Sequence, residues 1–206
     1  MSFGTNGSEG GLAVELLRRL WSRQQVRALI LGLASGALCV TPLAAYLNPL
    51  FYLGIPIGHV SESVAGQLLF SGPGVIFGAA FWILLRMRNP VEIKLGMVLV
   101  GISVTVWLLM LNLGISMMDK GHGPTWIGPL CAGMGGFLFS LLVLSVFLVF
   151  RDLRFVLSST VLTTLAGLVP VTWQNFPFQF DVGWLALFVT WQCSVLICAS
   201  FWPNPS

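Results

Sequence analysis

Gln67–Ile115 reads QLLFSGPGVIFGAAFWILLRMRNPVEIKLGMVLVGISVTVWLLMLNLGI. Two apolar runs, Gln67–Leu85 and Leu95–Ile115, carry no charge, and every ionisable group of the stretch (Arg86, Arg88, Glu92 and Lys94) sits in the turn between them. A hydrocarbon layer about 30 Å thick is crossed by about 20 apolar residues as helix. Each run has that length. The stretch therefore predicts two membrane-crossing helices joined on the basic side by a tight turn.

The pattern repeats in both directions. Further apolar runs cover Ala28–Leu47, Trp126–Phe150, Phe155–Trp173 and Gly183–Trp202. The expected fold is an all-α integral membrane bundle of about six transmembrane helices. Residues 1–27 form a cytoplasmic tail with an amphipathic helix, 28–202 the membrane domain and 203–206 a short cytoplasmic tail. The first run is long enough to span and follows a basic lead, so it reads as an uncleaved span rather than a signal peptide.

Charge sets the expected orientation. Arg18, Arg19, Arg23, Arg27, Arg86, Arg88, Lys94, Arg151 and Arg154 all fall on one side of such a bundle, and only Lys120 falls on the other. The positive-inside rule then places both tails in the cytoplasm. Trp21, Trp126, Trp173, Trp184 and Trp202 stand at the ends of the runs, where an amphipathic ring suits the interface, and Tyr46 and Tyr52 fall at the outer face.

Composition agrees. The 206 residues are 56% hydrophobic and only 8% charged, with a mean hydropathy of +0.90. A soluble domain carries about 25% charged residues to face water. The net charge of +3 is spread over run ends, which excludes a nucleic-acid patch. Membrane lipid is the expected partner, with other membrane subunits or a second copy as further candidates. Short basic inner turns suit a bacterial cytoplasmic membrane.

The first ten residues are small and polar and predict a disordered tail. Gly11–Gln25 then reads as an amphipathic helix on the anionic leaflet, with Leu12, Leu16 and Leu20 on one face and Arg18, Arg19 and Arg23 elsewhere. In the outer loop, Pro49–Gly58 is apolar but too short to span.

Lipid tails are as apolar as leucine, so spans pair by close backbone approach rather than by hydrophobicity. Gly32-x-x-x-Gly36, Gly74-x-x-x-Gly78 and Ala132-x-x-x-Gly136, with Gly133 and Gly135, offer such faces. The expectation is packing within the chain, with homodimerisation as the alternative.

No run holds an Asp, Glu, Lys, Arg or His near its centre. Proton relays and most ion-coupled carriers need one there. The cysteines at 39, 131, 193 and 198 form no Cys-x-x-Cys and read as small apolar residues. There is no His-Glu-x-x-His, no nucleotide loop and no dinucleotide fingerprint.

Two site readings remain. On the outer side, His59 with Glu62 and Asp119 with His122 each put an imidazole three residues from a carboxylate, and together they could supply four ligands to a metal or an acid/base pair. Asp181 could join them. The plainer alternative is two ordinary loop histidines. Within the bundle, Ser159, Thr160, Thr163 and Thr164 form a polar stripe on the fifth span, Asn112 and Thr105 lie on the third, and Gln192 lies mid-depth on the sixth with Thr190 and Ser194 nearby. Asn112, Thr160, Thr164 and Gln192 read either as helix-pairing groups or as the lining of a path for a neutral solute or lipid head-group. Pro42, Pro73, Pro129 and Pro170 all fall in outer half-spans, so a pocket would open outward beside Thr41, Ser71, Asn112 and Thr172.

Three functions follow in order: a non-enzymatic accessory or structural component of a membrane complex, a small permease or channel-like protein for a neutral solute or lipid, and a membrane enzyme using the outer histidines.

Overall fold

A computed structural model describes residues 24–40, 71–88, 91–120, 124–146, 153–169 and 180–201. Among them it contains six helices and no strand: α1 Gln24–Cys39, α2 Gly72–Arg86, α3 Ile93–Asp119, α4 Pro124–Val146, α5 Leu153–Ala166 and α6 Phe180–Ser200. Each falls on one of the expected apolar runs. The amphipathic segment lies outside the described residues except for Gln24 and Gln25, which belong to α1. The loop at 49–58 and the disordered-tail expectation also lie outside them.

Local chemistry explains several ends. α2 begins with Pro73 in its first turn, where the missing N–H has no helical partner to lose. It closes at Met87, whose N–H donates to Ile83 O at 3.0 Å. Asn89-Pro90 follows, and a residue before proline disfavours helix. Pro124 opens α4 in the same way, and Pro129 lies inside that helix.

Each helix packs against its neighbour in sequence, and α6 closes the ring on α1. Three seams of this ring are tight, and glycine makes them so. A Cβ built on Gly32 or Gly36 of α1 would stand 2.7 Å from Cys193 Cα and 2.5 Å from Val189 Cα of α6. On Gly74 and Gly78 of α2 it would stand 2.7 Å from Val104 Cα and 2.6 Å from Val100 Cα of α3. In α4, Gly128 faces Gly167 just beyond α5, while Gly133 and Gly136 face Thr164 and Thr163. Real Cβ atoms do not approach backbone this closely, so only glycine allows the crossings. In each seam rising numbers on one helix meet falling numbers on the other, so the pairs are antiparallel. The glycine faces are therefore covered within the chain.

Across the ring, the even-numbered helices meet through aromatic rings. Phe77 of α2 lies 4.9 Å from Phe139 of α4 and 4.8 Å from Trp191 of α6, and Phe81 lies 5.1 Å from Phe139, centroid to centroid. Trp191 Nε1 donates to Ala132 O of α4 at 3.1 Å. Phe77, Phe81 and Phe139 are fully buried, and they fill the middle of the bundle.

The outward faces are apolar. Leu153, Leu157, Val161 and Leu165 of α5 follow one another at every fourth residue and are each more than half exposed, whereas Ser159 and Thr163 on the opposite face are completely buried. A helix in water turns the other way round. Among the described residues, α3 (over Ile93–Met117) and α4 (over Trp126–Val146) are long and apolar enough to cross a membrane, and shorter apolar helices cover Gly72–Arg86, Leu153–Ala166 and Leu185–Ser200.

Candidate functional site

Gln192 is the most polar fully buried side chain of the described bundle. α6 carries it between two apolar clusters. One is the aromatic centre, and the other is Cys39, Ile76 and Phe188 with Trp107 packed against them. The glycine seam brings α1 close enough for Gln192 Nε2 to donate to Cys39 Sγ at 3.0 Å. The Cys39 thiol in turn donates to Pro73 O of α2 at 3.9 Å. A polar chain thus links α6, α1 and α2. The carbonyl oxygen of Gln192 is buried and has no hydrogen-bond partner among the described residues. Such an acceptor is costly until it meets a donor.

The other expected pocket residues lie elsewhere. Thr160 and Thr164 donate to the carbonyls of Val156 and Thr160 at 2.6 and 2.7 Å, one turn back on their own helix. Thr163 donates to Ser159 O at 2.7 Å, and Ser159 shares a hydroxyl hydrogen bond with Ser140 of α4. The α5 stripe therefore serves the α4–α5 seam. Asn112 is exposed on α3 and donates to Leu108 O at 2.7 Å. Thr105, Thr190 and Ser194 likewise donate four residues back, to Gly101, Ala186 and Thr190. Of the expected outward pocket, Ser71 is buried at the start of α2 and Asn112 faces out, while Thr41 and Thr172 lie outside the described residues.

For the expected metal set, Asp119 is the last residue of α3 and Asp181 the second of α6. His59, Glu62 and His122 lie outside the described residues. Among those described, no group of three or more His, Cys, Asp or Glu side chains is placed to hold a metal.

One constellation escaped the sequence reading. Arg88, just beyond α2, donates Nη1 to Ala199 O at 2.7 Å and Nη2 to Ser200 O at 2.5 Å, at the carbonyl end of α6. Its Nε donates to Gln24 Oε1 at 2.7 Å, and Nη2 reaches the same oxygen. Partial burial pulls its pKa down from the usual arginine value, yet a guanidinium stays cationic. Arg88 thus ties the start of α1, the end of α2 and the end of α6 together. The signal was an absence: α6 has no basic residue in its last turn to serve its own free carbonyls.

The chain matches no protein-family model, and comparison with curated proteins and with solved structures found no match. The functional reading therefore rests on the physical arrangement alone.

Proposed function

We propose that the chain is an integral membrane protein crossing the bilayer six times, and that it serves as a non-enzymatic accessory or structural component of a membrane complex. The observation that carries this reading is the inverted face of α5, with leucines outward and hydroxyls engaged between helices. Lipid is the solvent in which that polarity is stable, and small residues with short hydroxyl links are how spans associate there. The antiparallel ring puts Arg27, Arg86, Arg88, Lys94 and Arg154 at one end and Lys120 at the other, which supports a cytoplasmic location for the end shared by Gln24 and Ser200. A bacterial cytoplasmic membrane fits the short basic turns. The aromatic filling of the centre supports a packed scaffold over an open channel.

The test is gentle purification of the tagged chain from its native membrane, with stoichiometric companions identified by mass spectrometry. A fixed protein companion is expected. Recovery alone, or as a plain homo-oligomer, overturns the accessory role.

The free acceptor of Gln192 favours a second reading, a small permease for a neutral solute or lipid whose hydroxyl or amide would meet that oxygen. In that case Gln192→Leu abolishes flux into vesicles while the fold survives. The outer-face metal enzyme keeps only its argument from spacing.

A further inference from the structure

At the basic end of α2, Trp82, Ile83, Arg86 and Met87 line an open hollow of about 280 Å³. Arg86 is exposed, and its guanidinium carbon stands 5.1 Å from the centre of the Trp82 ring. The ring packs against Gly96 of α3, where a Cβ would stand 2.8 Å from its indole edge, and its buried N–H has no hydrogen-bond partner among the described residues. An aromatic face holds a cation in place without occupying its N–H groups. Arg88, two residues on, is turned inward and bonded to α1 and α6, whereas Arg86 is turned outward. Beside it, Ile83 and Met87 are 37% and 46% exposed.

We propose that this hollow binds an anionic phospholipid of the inner leaflet, an inference that rests on the membrane reading above. The guanidinium presents paired N–H donors to the phosphate, the geometry in which arginine surpasses lysine. Ile83 and Met87 take the glycerol end of an acyl chain. Arg86 stands at the last residue of α2, at the level where a long cationic side chain meets head-groups. The occupant is a lipid rather than free phosphate because the cation is flanked by exposed apolar side chains instead of further donors.

The test uses the full chain in mild detergent, titrated with phosphatidylglycerol or phosphatidylcholine and read by native mass spectrometry. Phosphatidylglycerol should be retained preferentially. The paired, charge-assisted hydrogen bonds to one phosphate are what this hollow adds to a bare surface charge, and losing them in Arg86→Gln should cut that retention about tenfold. Arg86→Lys should retain an intermediate amount. Lys94→Gln, an exposed cation outside the hollow, should leave retention unchanged. Circular dichroism of each variant checks the fold, and Trp82→Leu, which removes the platform but keeps the charge, gives a second route to the same loss. Equal retention of the two lipids, an undiminished Arg86→Gln, or an equal loss in Lys94→Gln overturns the site. Displacement of the lipid by millimolar inorganic phosphate would reassign it to a simple anion and overturn the lipid proposal. Alkaline carbonate extraction of native membranes separates the two readings. A chain that washes off removes the membrane reading and this one together, whereas a chain that stays embedded without retaining phosphatidylglycerol removes only the lipid site.

Discussion

The α4–α5 and α1–α6 seams are closed by the same means and furnished differently. Both rest on glycines that let one backbone touch another helix. In α4–α5 the glycines receive threonine side chains, and the hydroxyls of Ser140, Ser159, Thr163 and Thr164 all have hydrogen bonds. In α1–α6 the glycines meet the main chain of Cys193 and Val189, and the polar group beside them, Gln192, keeps a buried oxygen without a partner among the described residues. Short hydroxyls can always turn back to their own helix. A long amide with two polar ends cannot satisfy both that way. The first seam is chemically complete. The second sets glycine against the main chain of its neighbour and, at Gln192, buries an acceptor with no partner among the described residues, which is why the two readings of function divide there.

The sharpest way to break the comparison is to fill its glycines. Gly36→Leu must displace the α6 backbone, and overpacking of this kind costs about 3 kcal/mol or more. In detergent the variant should lose its cooperative thermal transition. Gly101→Ala is the control, since nothing lies within 4 Å of that position. It should shift the midpoint negligibly, and an equal loss in both would mean that glycine itself, rather than the seam, matters.

Next in size is the clamp at the basic end of the α1–α6 seam. Arg88→Ala removes charge-assisted hydrogen bonds to Gln24, Ala199 and Ser200 and should destabilise by about 2 kcal/mol. Thermal denaturation checks this, and faster proteolysis near α6 should accompany it.

Gln192→Leu removes the unmet oxygen together with one weak bond to sulfur. If Gln192 only joins helices, the change should stay within about 1 kcal/mol in either direction. Full unfolding of this variant would mean that the oxygen has a partner in the native protein. The smallest effect belongs to the complete seam. A double-mutant cycle of Ser140→Ala and Ser159→Ala should give a coupling of about 0.6 kcal/mol, the usual worth of such links if these helices lie in a bilayer as proposed. A coupling several times larger would make the hydroxyls, not the glycines, the main fastening.

Much of this organisation could be read from residue order. The apolar runs gave six helices because no charge interrupts them, and Gly32/Gly36 and Gly74/Gly78 marked close faces because their spacing repeats each helical turn. Which helix would cover each face could not be read, since a bare glycine surface accepts any neighbour. Gln192 stood out as the most polar group at mid-depth, but Thr160, Thr164 and Asn112 shared with it the same two readings, helix pairing or pocket lining. Their difference comes from side-chain length and from the rotation of each helix in the ring, which a linear pattern does not carry. Arg86 and Arg88 illustrate this best: two arginines two residues apart, counted together as topogenic charge, point to different surroundings. His59, Glu62 and His122 stay at the level of spacing.

The pairing of α1 with α6 also carries a cost in time. Cys39 meets Gln192 across 153 residues of chain. A ribosome adding about 5–20 residues per second needs roughly eight to thirty seconds to make that much polypeptide. Throughout that interval the Gly32–Gly36 face of α1 has been synthesised and its cover has not. The adjacent pairs α2–α3 and α4–α5 can close as they emerge, whereas the glycine face of α1 has no native cover until α6 has been made.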